Sequence, residues 1–177
     1  MAARYVALLR GINVGGRNPV KMATLAKGLT DVGHRDVRTY INSGNVVFTA
    51  DQAPTESELE ALLAERFGFA IPVLLRDRAA YAATVEAAPI EFADDTLRRD
   101  VLFLKDTTTP AEAMAALPDL TDGVDQVWPG PRALYFARLD AEASRSRLAK
   151  IVGTPIYRDI SARNWRTTRT LLELLDA

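Results

Sequence analysis

The order of strand-like and helix-like segments along the first 86 residues restricts the fold of this chain more than any other feature. Short apolar runs bounded by Gly, Pro and Asn predict strands, and apolar residues three or four positions apart predict helices. The predicted elements are a strand at 4–10, a helix from Asn18-Pro19 to Gly33, a β-hairpin over 36–49, a helix opened by the capping box Thr55-x-x-Glu58, a strand at 72–76 and a helix over 77–86. This β-α-β-β-α-β order is that of a ferredoxin-like fold with one antiparallel sheet.

The same order recurs after residue 100 without a repeat of the sequence. The predicted elements are a strand at 101–105, a short helix opened by the capping box Thr109-x-x-Glu112, a hairpin over 124–137, a helix at 141–152, a strand at 156–160 and a last helix at 162–175. Polar residues 89–100 have no clear period and predict a connector. We therefore expect an α+β chain with a first ferredoxin-like half at 1–88, a connector at 89–100, and a second half with a C-terminal helix at 101–177.

Composition excludes several classes of function. The 22 Lys and Arg residues against 23 Asp and Glu give a net charge of −1, so no bulk positive charge attracts nucleic acid or anionic lipid. The chain has no cysteine, which excludes disulfides, thiolate catalysis and cysteine-bound metals. His34 is the one histidine; we expect it at the surface, with no metal and no cofactor. No apolar run reaches the length of a signal core or a membrane span, so we expect a cytoplasmic protein without membrane contact.

A polar, glycine-rich segment follows the first predicted strand. Its candidate ligand-binding residues are Arg10, Gly11, Asn13, Gly15, Gly16, Arg17 and Asn18. Glycines permit positive φ and close approach, while Asn and Arg offer hydrogen bonds and charge, a combination suited to an anion. Gly11 and Gly16 have P-loop spacing, but Arg17 and Asn18 follow where that motif needs Lys and Ser/Thr, so we reject an ordinary NTPase. A backbone nest for phosphate around Gly15-Gly16 and a plain strand-to-helix turn both stay open.

Two further polar segments complete the candidate site. The first and third strands of a ferredoxin-like half are antiparallel neighbours, so the hairpin residues Asn42, Ser43 and Asn45 should meet the end of the first strand. The third segment contains Arg163, Asn164 and Trp165. If Ser161 caps the last helix, arginines in its first turns oppose the helix dipole, which suggests a nearby anion or a carboxylate. Packing in the core explains the tryptophan better than base stacking does.

Segments 4–18, 37–48 and 161–167 resemble the signature segments of the family catalogued as domain of unknown function 1697. The resemblance implies a bacterial-type α+β protein with ferredoxin-like subdomains and implies no established activity. The polar signature of the family falls here on Arg10, Gly11, Asn13, Gly15, Gly16, Asn18, Asn42, Ser43, Asn45, Arg163, Asn164 and Trp165. Lys21 and Arg166 stand where the family commonly has Pro and Asn.

These residues favour a small binding protein that holds a phosphate-bearing ligand, such as a nucleotide or an RNA end, in a cleft lined by Gly, Asn and Arg. A metal-free enzyme that uses the same cleft for electrostatic stabilisation is an alternative. An RNA-binding module with aromatic residues on the sheet face is another, although the near-neutral charge and the lack of an RNP-type strand count against it. A purely structural role for the signature residues is the fourth alternative.

Overall fold

The computed structural model describes residues 2–177, which form two compact units. The first unit comprises the residues up to Ala82 together with Thr170–Ala177, and the second comprises Ala83–Arg169. Each unit contains a four-stranded sheet whose neighbouring strands are antiparallel.

The first unit has the predicted β-α-β-β-α-β order. Its elements are β1 (Ala3–Leu9), α1 (Met22–Asp31), β2 (Arg35–Tyr40), β3 (Asn45–Ala50), α2 (Glu56–Phe67), β4 (Val73–Asp77) and the start of α3 (Arg78–Glu86). The strands lie in the order β2-β3-β1-β4, so the first and third strands are central neighbours, as in a ferredoxin-like fold. The capping box at the start of α2 and the hairpin of β2 and β3 are both confirmed.

Successive side chains of a strand point to opposite faces of a sheet, and α1 and α2 pack on one of these faces of the first sheet. Leu9 of β1 contributes to the same core cluster as Leu25 of α1 and Leu63 of α2, and each of the three is at most 2% exposed. On the opposite face of β1, Val6 and Leu8 are fully buried. Burial on both faces explains why the strand is an unbroken apolar run.

The second unit repeats the sheet with less helix. Its elements are β5 (Leu97–Leu104), α4 (Pro110–Ala115), β6 (Asp125–Gly130), β7 (Ala133–Leu139), β8 (Ile160–Asn164) and the start of α5 (Trp165–Asp176). The strand order β6-β7-β5-β8 corresponds to that of the first sheet, so the chain consists of two tandem ferredoxin-like halves. The strand β5 begins at Leu97, earlier than the predicted residue 101, because residues 97–100 pair with β7. The expected connector at 89–100 therefore contains the beginning of a strand.

The predicted helix at 141–152 is wrong. Two 3₁₀ segments, Asp140–Arg145 and Leu148–Gly153, take its place. In an α-helix the N–H of Arg147 would donate to the carbonyl four residues earlier, but it donates to Oδ2 of Asp125 at 3.0 Å. A carboxylate from β6 thus takes a donor that the helix needs, and the sequence pattern contains no sign of this contact.

The predicted strand at 156–160 is displaced to Ile160–Asn164, because Pro155–Asp159 forms a 3₁₀ segment. The predicted start of the last helix at residue 162 is also wrong, because β8 pairs with β5 as far as Asn164. The side-chain oxygen of Asn164 accepts a hydrogen bond from the N–H of Thr167 at 2.8 Å. Asn164, rather than Ser161, therefore caps α5. Ser161 is 1% exposed within the strand.

Candidate functional site

The loop between β1 and α1 contains a tight two-residue turn. Gly15 and Gly16 both have positive φ, 57° and 73°. The N–H of Arg17 donates to the carbonyl of Val14 at 3.0 Å, as in the primed turns that require positive φ at both central residues. A nest of the αR–αL kind needs opposite signs of φ at its two residues. The glycine pair therefore serves as a turn and does not itself form that nest.

Asn13 joins the two ends of this loop to the hairpin turn. Its Nδ2 donates to the carbonyl of Val20 at 3.0 Å and to the carbonyl of Asn42 at 2.8 Å. Its Oδ1 accepts from the N–H of Val20 at 2.8 Å. Both N–H donors of the Asn13 amide are engaged within the protein, so this side chain positions the loop against the turn.

Two other asparagines of the predicted site also bond within the protein. Asn18 has a φ of 51°, and its Nδ2 donates to the carbonyl of Gly11 at 2.9 Å. Asn45 is fully buried, and its Nδ2 donates to the carbonyl of Tyr40 at 3.1 Å and to the hydroxyl of Ser43 at 2.9 Å. These contacts close the loop and the hairpin turn respectively.

Gly44 brings the hairpin turn onto the end of β1. Its carbonyl accepts from the N–H of Leu9 at 2.7 Å. Its φ is 82°, and a Cβ there would lie 2.7 Å from Cβ of Leu9 and 2.9 Å from Cδ1 of Ile12. Only glycine fits this position without displacing its neighbours. The predicted meeting of the loop and the hairpin turn at one sheet edge is confirmed.

An open depression of about 630 Å³ lies where the loop meets α1. We call it the Arg17 depression; Asn13, Arg17, Val20, Lys21, Ala23 and Asn42 are among its lining residues. Helix α1 begins at Met22 and not at Pro19 as predicted, because Asn18 keeps the left-handed backbone of the loop. The N-cap residue of α1, Lys21, makes no side-chain capping hydrogen bond, and the first turn of the helix contains no acidic residue. Because Lys21 and Ala23 line the depression, the positive end of the α1 dipole lies beside it.

Three polar side chains at the Arg17 depression are available for a ligand. Arg17, Lys21 and Asn42 are exposed. Among residues 2–177, no acidic side chain forms an ion pair with Arg17 or Lys21. Arg10 is partly buried, and its N–H donates to the carbonyl of Pro72 at 3.0 Å. The depression therefore has a local excess of positive charge in a chain of near-neutral total charge.

The third predicted segment belongs to the second unit. Arg163 lies in β8 and not in the last helix as expected, and its guanidinium donates to the carbonyl of Ala162 at 2.8 Å. Trp165 packs edge-on against Phe92, with 5.2 Å between ring centroids, which fits the expected packing role. A ligand-binding role for Arg163, Asn164 and Trp165 stays a prediction.

His34 is not the surface residue that the sequence predicts. Its ring centroid is 4.6 Å from that of Phe48, and the residue is partly buried. Burial lowers the pKa of His34 below its ordinary value of 6.5, while the charge of Glu58 acts in the opposite direction. The capping box is readable from sequence, but its position beside the histidine depends on the packing of α2 on the sheet.

Two further kinds of site, a metal cluster and a membrane-spanning helix, were sought among the described residues. Among residues 2–177, no three His, Asp or Glu side chains gather in a way that could hold a metal ion. No helix in that range is long and apolar enough to cross a membrane.

The two sheets and the loop define a protein of two ferredoxin-like halves with a polar loop after its first strand. The chain belongs to the family described as "Protein of unknown function (DUF1697)", whose profile matches residues 2–135. A solved structure, that of the conserved bacterial protein SP0830 from Streptococcus pneumoniae, is similar over 99% of each chain, with 29% sequence identity and a TM-score of 0.87. A comparison with curated proteins found no match.

Proposed function

We propose that this protein binds a phosphate-bearing small molecule, such as a nucleotide, in the Arg17 depression. The observation that carries the proposal is the pair of unopposed cations, Arg17 and Lys21, beside the uncapped start of α1. Amides at the start of a helix are natural donors to phosphate oxygens, and the helix dipole favours negative charge there by ~0.3–1 kcal/mol. Asn42 can add a neutral hydrogen bond.

Charge-assisted hydrogen bonds supply most of the expected affinity. Each is worth ~1.5–3 kcal/mol, about one to two powers of ten in the dissociation constant. Because Arg17 and Lys21 are exposed, added salt should weaken binding. Asn13 and Gly44 contribute indirectly, since they fix the loop and the turn that border the depression.

The buried strand faces favour a small ligand over the RNA-binding alternative. Phe48 is 2% exposed, and Tyr5 packs against it with 5.9 Å between ring centroids. On the opposite face, Val6 and Leu8 are fully buried. Stacking of bases on a sheet needs exposed aromatic rings, which these strands of the first unit do not offer.

Titration calorimetry with AMP and adenosine tests the proposal, because the two ligands differ by the phosphate. We expect AMP to bind and adenosine to bind at least about tenfold more weakly. The Arg17→Ala/Lys21→Ala double variant should lose at least about tenfold in AMP affinity. The Arg147→Ala/Lys150→Ala variant is the matched control, since it makes the same change in net charge at exposed residues of the second unit.

Two results would refute the proposal. The first is equal affinity for AMP and adenosine, because the phosphate would then contribute nothing. The second is an equal effect of both double variants, because the loss would then reflect total charge and not the Arg17 depression.

A further inference from the structure

A second concave surface lies at the other end of α1, within the first unit. It has a volume of about 490 Å³, within the ~300–1,000 Å³ range of small-molecule sites. We call it the His34 pocket; Val32, His34, Asp51, Glu58, Leu59 and Leu62 are among its lining residues. The corner after α1, the end of β3 and the first turns of α2 form its walls.

The charge of the His34 pocket is opposite to that of the Arg17 depression. Its acidic lining residues are Asp51 and Glu58, and no Lys or Arg lines it. Asp51 is paired with Arg35 at 2.5 Å, so Glu58 is the main source of net charge. Oε2 of Glu58 accepts a hydrogen bond from the N–H of Thr55 at 2.8 Å. This hydrogen bond lowers the pKa of Glu58, so its carboxylate is ionised at neutral pH.

Most of the other lining residues are apolar, and His34 and Gln52 add polar groups. Val32 is 53% exposed at the rim, and Leu59 is 3% exposed below it. The His34 ring packs on Phe48 and is mainly neutral at neutral pH, because burial lowers its pKa. A neutral imidazole has one nitrogen that can accept a hydrogen bond from an ammonium group.

α1 adds to the negative character of this end. Its last turn contains no basic residue, so no cation on that turn opposes the negative end of the helix dipole. The last helical residue is Asp31, whose carboxylate is held by Lys27 and Arg66 on the helix surface. The Arg17 depression thus lies beside the first residues of α1, and the His34 pocket lies beside the residues that follow the helix.

We propose that the His34 pocket binds a small organic cation, an ammonium group on an apolar body. The ammonium group lies between the Glu58 carboxylate and the His34 imidazole, and the apolar body lies against Val32, Leu59 and Leu62. This site is separate from the anion site, and neither proposal depends on the other.

Three probes of similar size distinguish charge from shape: 2-phenylethylamine, 2-phenylethanol and phenylacetate. Binding is followed by NMR through the methyl signals of Val32, Leu59 and Leu62 and the imidazole signals of His34. We expect the amine to shift these signals with saturation, and the alcohol and the carboxylate to bind more weakly in that order. AMP should leave these signals unchanged.

The Glu58→Gln variant tests the role of the carboxylate without removing the helix cap, because Gln also completes a capping box. Its affinity for 2-phenylethylamine should fall about threefold to fivefold, as for an exposed charge pair. Glu112→Gln is the matched control, since Glu112 makes the same capping box with Thr109 in the second unit. That variant should bind the amine as the wild type does.

Equal binding of phenylacetate and the amine would overturn the proposal, and so would shifts that map outside the His34 pocket. An equal loss in Glu58→Gln and Glu112→Gln would also overturn it, because the effect would then come from net charge.

Discussion

Replacing Gly44 by alanine should push the hairpin turn away from the end of β1. Gly44 has a φ of 82°, and an added Cβ would lie 2.7 Å from Cβ of Leu9 and 2.9 Å from Cδ1 of Ile12. The first contact is with an atom fixed to the backbone of the central strand, so rotation of a side chain cannot relieve it. The turn must move, and the 2.7 Å hydrogen bond from the N–H of Leu9 to the carbonyl of Gly44 must lengthen.

Two costs determine the size of the effect. A left-handed backbone at a residue with a Cβ costs ~1–2 kcal/mol. Overpacking of a tight interior site costs a further ~1–3 kcal/mol. We therefore expect Gly44→Ala to lower the free energy of unfolding by ~2–5 kcal/mol.

The Gly68→Ala variant measures the backbone cost alone, because Gly68 lies in the same unit as Gly44 and has nearly the same φ. Its φ is 78°, and a Cβ there would meet nothing within 4 Å. Gly68→Ala should therefore cost only the ~1–2 kcal/mol of the left-handed backbone. Urea denaturation of both variants, followed by circular dichroism, gives the two values. Equal losses would refute the argument that close packing at Gly44 holds the turn against the loop.

Three further predictions follow from particular contacts. Tyr135→Phe removes a hydrogen bond of 2.5 Å to the carbonyl of Thr84 and should cost ~1–3 kcal/mol in urea denaturation. Burial raises the pKa of Tyr135 to about 12, above the unfolded value of 10, so the contribution of its hydroxyl to stability should be complete below pH 10 and lost as the pH rises toward 12. A pH-independent difference in the free energy of unfolding between wild type and variant across that range would contradict this. Burial lowers the pKa of His34, so an NMR titration of its ring should give a pKa below 6.5, and the wild type should lose stability relative to His34→Gln as the pH falls below 6.5. A measured pKa at or above 6.5 would contradict this. Asn13→Ala removes the side-chain bonds to Val20 and to the hairpin turn and should speed hydrogen exchange in residues 10–20, while unchanged exchange would exclude the positioning role.

The sequence predicted the capping boxes and the hairpins correctly, because the contacts that form them lie within a few residues of each other. The capping boxes at Thr55 and Thr109 are each confirmed with both of their reciprocal hydrogen bonds. Both hairpins are confirmed, as is the order of elements in the first half. Turn chemistry and capping depend on side chains at most four positions apart, so the sequence carries them directly.

Two of the errors fall where a contact from a distant strand replaces the local hydrogen bonds of a helix. Asp125 takes the N–H of Arg147, which replaces a predicted helix by 3₁₀ segments. Pairing with β5 extends β8 to Asn164, which moves the start of the last helix. In both places the local pattern favours a helix, and a contact from another strand decides otherwise.

The amino-acid sequence by itself determined the two tandem ferredoxin-like halves and the three polar segments, because periodicity, capping and turn residues act over short distances. Only the tertiary structure decided what the polar residues do. Asn13 bonds to a residue 29 positions away, and Asn45 is fully buried, so these side chains build the loop and the turn. Arg17 and Lys21 are left exposed beside the start of α1, and His34 is brought beside Glu58. These outcomes depend on which strands become neighbours, since a buried polar group must find its hydrogen-bond partner wherever the sheet places one.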